Sequence, residues 1–341
     1  MQNKRIEYID IAKGIGILIV LVDHIIGLYG KTGFPGEMGM NMFKLPLFFF
    51  ISGMFFPSDL ELNTFLSKKY KKLLLPFSFF FLISICIIPF LLSKGIGLKL
   101  FHYYGISFHN LFVIPFMEED STNGPMWFVW CLIVINIFYY IICVIAEHTN
   151  IKYMRQWLSL LMGGAGLFLA SYGINIPGHI DSAMTAIVFF SVGDMLYHHT
   201  DIFHGEKPVP NRDLLISALT LLLICVFAYY VNYRINSFQS FGYMLAYPFG
   251  LAGTLSVIVL SKKLLGGGKN LITILLRLCG RYSLVLLCTH MQIMQVVGYV
   301  FDDILNLYGW YGICVNTVIT LLCCVGICWL SKRYIPRMIG M

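Results

Sequence analysis

Long apolar segments alternate with short polar segments along the chain. Most of the apolar segments approach the roughly 20 residues that a helix needs to cross a bilayer. We therefore predict ten membrane-spanning helices, at residues 9–29, 43–57, 74–93, 127–146, 154–172, 180–197, 213–231, 240–260, 280–300 and 310–331. The second run is the shortest, which favours a broken or tilted helix there. The predicted fold class is all-α, a polytopic transmembrane helical bundle forming one domain over residues 1–341.

Lysine and arginine are divided unevenly between the segments that connect these runs. With a cytoplasmic N-terminus, 18 of the 24 basic residues fall in inner segments and 5 in outer segments, and Lys13 lies inside the first run. Because cytoplasmic segments of membrane proteins carry the excess of Lys and Arg, this split predicts that both termini are cytoplasmic. We expect a bacterial inner (plasma) membrane. The net charge of +7 is then a topology signal, and we predict no nucleic-acid partner.

Composition excludes a soluble enzyme and gives no support to a metal site. The chain is 58% hydrophobic and 12% charged, whereas soluble domains are about 25% charged. Most of the ten cysteines lie inside apolar runs, without CxxC or Cys/His ligand spacing. We expect them to be packing residues and predict no metal ligands. The histidines of the inner segment 197–212 also lack a standard ligand spacing.

The first apolar run carries four ionisable residues, Asp10, Lys13, Asp23 and His24. Such groups are costly inside a membrane, so each is a candidate functional residue. Lys13 and His24 are 11 residues apart, which places them on one helix face about 16 Å apart along the axis. Asp10 is one turn before Lys13 and can pair with it, whereas Asp23 points about 100° away from His24. In an ordinary structural role, Lys13 would reach the interface and His24 would bond to a neighbouring helix.

Several later stretches also carry polar groups at distinctive places. Four lysines at 68, 69, 71 and 72 precede Pro76 and form either a membrane anchor or a site for a phosphorylated cofactor. A turn at residues 123–125 leads to Trp127 at a predicted membrane interface. His290 lies midway through the ninth run, and Ser52-Gly53 interrupts an aromatic run where glycine permits close helix approach. The outer segment 94–126 holds an acidic run at 118–120.

Taken in order, five of these stretches resemble the membrane acyltransferase-3 family, especially its branch of fucose 4-O-acetylase-like sugar O-acetylases. DIAKGIGILIVLVDH is similar to that branch's Asp-x-x-Lys opening and terminal His, with Lys13 where the wider family usually has Arg. MNMFKLPLFFFISGMFF resembles the family's Pro-x-Phe-Phe segment ending in Ser-Gly, and KKYKKLLLPF its basic pair before Pro. NGPMWFVWCL and GRYSLVLLCTH resemble, more loosely, its Gly-x-x-Trp-Phe and late Ser-x6-His segments.

The resemblance implies transfer of an acetyl or other acyl group from acetyl-CoA to a hydroxyl of a cell-surface or envelope glycan. It implies a catalytic His24 supported by Lys13 and Asp10, and donor contacts from Lys69, Lys72 and Arg281. The residues expected near the acceptor are Asn123, Trp127, Glu118, Glu119 and His290. Lysine lacks the two-pronged fork of arginine, so its phosphate contacts would be less defined in geometry.

The residues leave several alternatives open. A proton-coupled transporter or flippase would also suit ten helices with buried ionisable groups, although we find no inverted repeat or paired broken helices. A lipid-binding scaffold would leave the ionisable residues of the first run unexplained. His24 would act either as a base or as an acyl carrier, and the carboxylates that could orient it are Glu118, Glu119, Asp181 and Asp194. Membrane lipids are expected partners, and a homodimer remains an open option.

Overall fold

A computed structural model of the chain describes residues 6–57, 61–94, 123–149, 151–174, 176–200, 203, 209–230, 243–268, 270–307 and 309–339. Within these ranges all regular structure is helical, as the apolar pattern predicts. The α-helices are α1 (Glu7–Leu28), α2 (Pro35–Met54), α3 (Leu62–Lys69), α4 (Leu75–Ser93), α5 (Met126–Glu147), α6 (Met154–Ser171), α7 (Ile180–His199), α8 (Asn211–Tyr230), α9 (Tyr243–Gly266), α10 (Leu271–Arg281), α11 (Ser283–Gly298) and α12 (Gly309–Tyr334). Wider π-helical turns at Tyr70–Leu74 and Tyr299–Ile304 follow α3 and α11, and a short 3₁₀ turn spans Pro336–Ile339.

Each of the ten predicted runs coincides with a helix. In the described part of the chain, eight helical stretches are long and apolar enough to cross a membrane: α1, the stretch from α3 into α4, α5, α7, α8, α9, α11 and α12. The remaining two runs correspond to α2 and α6, which are helical but less apolar. The chain is therefore an integral membrane protein with a polytopic helical fold. That it forms one domain stays a prediction.

The second helix is neither short nor broken, and the tilt that the sequence also allowed stays a prediction. α2 is 20 residues long and starts well before the apolar run, at Pro35. Its first half is polar in sequence, but the structure buries and pairs those residues. Glu37 accepts a hydrogen bond from Asn41, and Lys44 forms an ion pair with Asp23 of α1. The hydropathy pattern did not identify the first half of α2 as helix, because the partners of its polar side chains lie on another helix or on another turn of α2.

α10 is an amphipathic helix that the apolar pattern did not predict. It has 11 residues, and Asn270 caps its start by accepting from the Thr273 backbone N–H. It crosses α1 at very short distance, because a Cβ on Gly14 would lie 2.0 Å from the Leu276 carbonyl oxygen and one on Gly280 1.7 Å from that of Asp10. α10 therefore braces the turn of α1 that carries Asp10 and Lys13.

A second close seam joins α2 to α7. A Cβ on Gly53 would lie 1.9 Å from the Phe190 carbonyl oxygen, and one on Gly193 2.1 Å from the Phe50 carbonyl oxygen. The sequence interpretation of Gly53 as a close-packing residue is therefore confirmed. In membranes small residues allow such backbone contacts, which raise dispersion attraction between helices.

One end of the bundle gathers the starts of α1 and α8, the ends of α7 and α9, and α10; we call it the basic end. The Tyr8 hydroxyl donates to the Phe203 carbonyl there at 2.8 Å. Arg277 pairs with Glu7 at 2.7 Å, and Lys263 donates to Asn211 at 3.2 Å. These contacts connect segments that are far apart in the chain, so they fix which functional residues share this end.

Candidate active site

Two histidines from helices far apart in sequence meet inside the bundle. The rings of His24 on α1 and His290 on α11 have centroids 5.3 Å apart and are tilted by 40°. His24 is half-buried, and His290 is 0% exposed. Paired imidazoles provide a proton acceptor and a second polar group within reach of the same reacting atoms.

The hydrogen bonding of His290 defines its tautomer. Its Nδ1 lies 2.8 Å from the Leu286 carbonyl oxygen, which only accepts, so Nδ1 carries the proton in the neutral ring. Nε2 is then an unprotonated acceptor. It is buried and has no hydrogen-bond partner among the described residues. An acceptor left unpaired inside a protein is costly, so a ligand hydroxyl is a natural partner for this atom.

A polar cluster on the opposite side of α11 holds His290 toward α1. Asn123, at 3% exposure, donates to the Ser84 hydroxyl at 3.0 Å and to the Cys288 carbonyl at 2.9 Å. Gln292, turned with its oxygen toward them, accepts from the Ser84 hydroxyl at 3.0 Å. Cys288 and Gln292 lie two residues either side of His290, on the opposite helix face. The cluster joins α4 and α5 to α11 and sets its rotation.

A cavity of about 220 Å³ lies between α1, α2, α5, α11 and the π-helical turn before α4. Its polar lining consists of Lys13, Ser52, Lys72 and Ser283. Its apolar lining includes Ile17, Val20, Leu45, Phe48, Phe128 and Leu287. Apolar walls with a few polar groups are typical of a site for a small molecule or for part of a larger one.

The cavity and the histidine pair share two helix faces. On α1, Lys13, Ile17 and Val20 line the cavity, and His24 continues the same face one turn further. On α11, Ser283 and Leu287 line it, and His290 follows at the same spacing. The cavity thus runs from two lysines to within one helical turn of both histidines.

The sequence model of the acyltransferase-3 family, described as an acyltransferase domain, matches residues 6–330. The chain belongs to this family. Searches of curated proteins and of solved structures found no match. The family assignment covers nearly the whole bundle, including both histidines and the cavity, and makes the chain a membrane acyltransferase. The fucose 4-O-acetylase-like branch is a finer assignment and is taken up below as a proposal.

The residues predicted to bind the donor of this acyltransferase separate into two groups. Lys13 pairs with Asp10 at 3.2 Å, as its spacing predicts, and lines the cavity with Lys72. Lys69 does not line it: its Nζ lies over the rings of Phe56 and Phe65, 5.3 and 5.7 Å from their centroids. The π-helical turn between Lys69 and Lys72 changes the residues per turn, so the two side chains diverge. Arg281 is exposed and lies just before the cavity residue Ser283.

The predicted acceptor residues are also dispersed. Asn123 belongs to the cluster behind His290, so the structure assigns it a positioning role. Trp127 packs against His179, with ring centroids 5.4 Å apart, and does not line the cavity. Glu118 and Glu119 lie outside the described residues.

The carboxylate expected to orient His24 is not found among the described candidates. Asp23 pairs with Lys44. Asp194 accepts from the Tyr139 hydroxyl at 2.6 Å at the end of α7, and Asp181 is buried at the start of that helix. In the described part of the chain, the group in ring contact with His24 is His290.

Sequence reasoning missed Ser84, Gln292 and Ser283 as site residues. Gln292 carried a signal, because a side-chain amide inside an apolar run marks a polar contact between helices. Ser283 also carried one, because it is the serine of the Ser-x6-His segment that ends at His290. Ser84 carried none, since a single serine is common in membrane helices and its partners lie on other segments.

Proposed function

We propose that this acyltransferase moves an acetyl group from cytoplasmic acetyl-CoA to a hydroxyl of a cell-surface or envelope glycan. The observation that carries the proposal is the largely apolar cavity lined by Lys13 and Lys72, whose α1 and α11 walls continue one helical turn further to the His24–His290 pair. The sugar acceptor follows from the resemblance to the fucose 4-O-acetylase-like branch.

The cavity suits the arm of the donor better than the whole donor. At about 220 Å³ it is smaller than the roughly 300–1,000 Å³ typical of pockets that enclose a complete small-molecule ligand. A narrow apolar passage with lysines at one end fits a pantetheine arm that brings a thioester toward the histidines. Lys72 is exposed and stands where the donor's anionic groups would enter.

The reaction requires one proton transfer and one displacement. The acceptor oxygen attacks the thioester carbonyl carbon, a C–O bond forms, and the C–S bond breaks. The hydroxyl proton passes to an imidazole Nε2 and from there to the departing CoA thiolate, which leaves as the thiol. Neutral histidine is suited to this transfer near neutral pH.

We assign the two histidines complementary roles. His24, on the face shared with Lys13, takes the proton of the acceptor hydroxyl. His290, with its Nδ1 proton donated to the Leu286 carbonyl, presents an acceptor Nε2 that orients the substrate through a second, neighbouring hydroxyl of the sugar. Transfer through an acyl-His24 intermediate is the alternative chemistry, and it would leave a labelled enzyme after acid quenching.

The proposed orientation places the basic end in the cytoplasm of a bacterial cell, at the inner membrane. Its support is the excess of Lys and Arg in the segments assigned to that side. Ser67 is exposed at the end of α3, so Ser67→Cys should react with a membrane-impermeant thiol reagent only after the membrane is opened. Labelling of this variant above the wild-type level in intact cells would reverse the orientation and remove the route for a cytoplasmic donor.

The function is tested with purified full-length protein in nanodiscs, labelled acetyl-CoA and a panel of oligosaccharide acceptors. We expect an alkali-labile acetyl ester on the acceptor and stoichiometric release of CoA thiol. Mass spectrometry of surface glycans from cells with and without the protein identifies the acceptor. Substrate transport into sealed vesicles without ester formation would establish a carrier instead.

A further inference from the structure

A second cavity, of about 470 Å³, opens at the basic end between the end of α5, the start of α6 and the end of α7. It is larger than the cavity near the histidines and far more polar. Its charged or titratable lining consists of Glu147, Lys152, Arg155, Asp194, His198 and His199. Its volume falls in the range of pockets that enclose small-molecule ligands, roughly 300–1,000 Å³.

Asp194 is the buried group on which this cavity centres. It is 2% exposed, and its Oδ2 accepts from the Tyr139 hydroxyl at 2.6 Å. Its Oδ1 lies 3.5 Å from His198 Nε2 and accepts no hydrogen bond from a described residue. A buried carboxylate oxygen without a donor is costly, so a ligand N–H or O–H would gain by reaching it.

Arg155 offers the complementary donors. Its Nη1 lies 4.0 Å from Asp194 Oδ2, and its Nη2 lies 3.7 Å from Glu147 Oε1. Both distances exceed a hydrogen bond, so the guanidinium is held between two carboxylates without being bonded to either. Its planar fork suits the two oxygens of a phosphate.

An aromatic surface stands next to these charges. The Tyr153 ring has Lys152 Nζ 4.9 Å from its centroid and the His199 ring 6.3 Å away. Aromatic faces of this kind stack on nucleobases. A ligand that matches all three features carries a phosphate, a hydroxyl or amine donor, and a flat ring, which together describe a nucleotide.

A series of contacts through Phe56 connects the second cavity with the segment that lines the first. His198 Nε2 lies 3.4 Å from the Phe56 carbonyl oxygen, and Lys69 stands over the Phe56 ring. Three residues further along the chain, Lys72 lines the first cavity. A ligand with its head at Arg155 could therefore extend a flexible arm past α3 toward Lys72.

We propose that the α5–α7 cavity binds the adenine-nucleotide end of the acyl-CoA donor, with Arg155 on a phosphate and Asp194 accepting from a ribose hydroxyl or the base amine. This inference rests on the proposed function and divides the donor between two sites. The nucleotide lies in the polar cavity, and the acyl-bearing arm lies in the apolar one.

The test uses full-length protein in phosphatidylcholine nanodiscs and three ligands: adenosine 3′,5′-bisphosphate, acetyl-CoA and acetyl-pantetheine. Arg155→Gln should weaken binding of adenosine 3′,5′-bisphosphate about tenfold and raise the KM for acetyl-CoA to a similar extent, as expected for loss of one charge-assisted contact. The KM for acetyl-pantetheine, which has no nucleotide, should not change. Asp194→Asn, which can still accept from Tyr139, should weaken the bisphosphate in the same direction. Arg212→Gln, an exposed arginine of the same end that pairs with Asp213, is the control and should change neither value.

Other outcomes separate this inference from the proposed function. Acetyl transfer with an unchanged KM for acetyl-CoA in Arg155→Gln would overturn the inference and leave the function standing. Arg155-dependent bisphosphate binding without any acetyl transfer would support a nucleotide site and remove the function. In nanodiscs containing phosphatidylglycerol, loss of bisphosphate binding to wild type would show that the cavity takes a lipid phosphate, which also overturns the inference.

Discussion

The two cavities of this acyltransferase differ in how many ionisable groups line them and in how those groups are paired. The first cavity has largely apolar walls and ends within one helical turn of the His24–His290 pair, where His290 Nε2 has no partner among the described residues. In the α5–α7 cavity, Asp194 is surrounded by Tyr139, Arg155 and His198 at 2.6–4.0 Å. A carboxylate surrounded by charged and polar partners, like Asp194, suits ligand binding. An imidazole nitrogen without a hydrogen-bond partner, like His290 Nε2, suits contact with a reacting hydroxyl.

The difference indicates that ligand binding and proton transfer take place in different parts of the bundle. The charges of the α5–α7 cavity sit at the basic end, where water lowers the cost of carrying them. The histidines lie deeper, where a neutral group is cheaper to bury. The following variants each change one cavity region or the α2–α7 seam, and the measurements show whether the other region is affected.

Removal of either imidazole should have the largest effect. His24→Asn should lower kcat by about 10²–10⁴-fold, the usual contribution of a general acid or base, and His290→Asn should lower it less, because His290 orients the substrate and does not take the proton. Asparagine at 290 can keep the bond to the Leu286 carbonyl while the Nε2 atom is lost. The measurement is single-turnover transfer with labelled acetyl-CoA on monodisperse protein.

His148 is a matched control for the His290 variant. It is exposed at the end of α5, and its Nδ1 contacts the Val144 carbonyl at 2.8 Å, the same arrangement that His290 has with Leu286. His148→Asn should leave turnover unchanged. Near-normal turnover in His24→Asn would make that imidazole structural and end the proposed mechanism.

The seam between α2 and α7 lies between the two regions and should be sensitive to one methyl group. Gly53→Ala would push a Cβ onto the Phe190 carbonyl oxygen, and overpacking of this kind costs about 1–3 kcal/mol. Thermal unfolding in detergent should show a lower Tm. Gly164→Ala on α6 is the control, because a Cβ there meets nothing within 4 Å. Equal Tm values for the two variants would contradict the close seam.

The hydrogen bond that holds Asp194 should matter for the polar cavity alone. Tyr139→Phe removes a donor to a buried carboxylate, a change worth about 1.5 kcal/mol. We expect lower stability and weaker adenosine 3′,5′-bisphosphate binding, with the KM for acetyl-pantetheine unchanged. Tyr140→Phe, whose ring stacks on Phe65, is the control. A raised KM for acetyl-pantetheine would show that the two cavities are not independent.

The smallest expected effect is on the KM for acetyl-CoA, and it should distinguish Lys72 from Lys69. Lys72→Gln should raise the KM for acetyl-CoA about fivefold, roughly 1 kcal/mol, because an exposed charge contributes little. Added salt should reduce the difference from wild type. Lys69→Gln should change this KM less, since Lys69 lies over aromatic rings and outside the cavity. Lys68→Gln, exposed in α3, provides the baseline, and a larger effect at Lys69 than at Lys72 would reverse the assignment.

The sequence by itself determined the features that depend on one helix. Apolar runs predicted where the helices lie, because backbone groups in a bilayer must be satisfied within the helix. The 3.6-residue period placed Lys13 and His24 on one face and turned Asp23 away. It also paired Asp10 with Lys13, which the structure confirms at 3.2 Å. Each result involves residues a few turns apart, for which local geometry is sufficient.

Only the tertiary structure decided what meets across helices. The ring contact between His24 and His290, the polar cluster behind α11 and the pairing of Asp194 with Tyr139 all join distant segments. The helical structure of the polar first half of α2 is explained by the ion pair that Lys44 forms with Asp23 of α1. The π-helical turn that parts Lys69 from Lys72 depends on packing around it as well as on its own residues. Hydropathy and periodicity describe one helix at a time and contain no information about partners on other helices. The shape of both cavities therefore depends on the packing of the bundle.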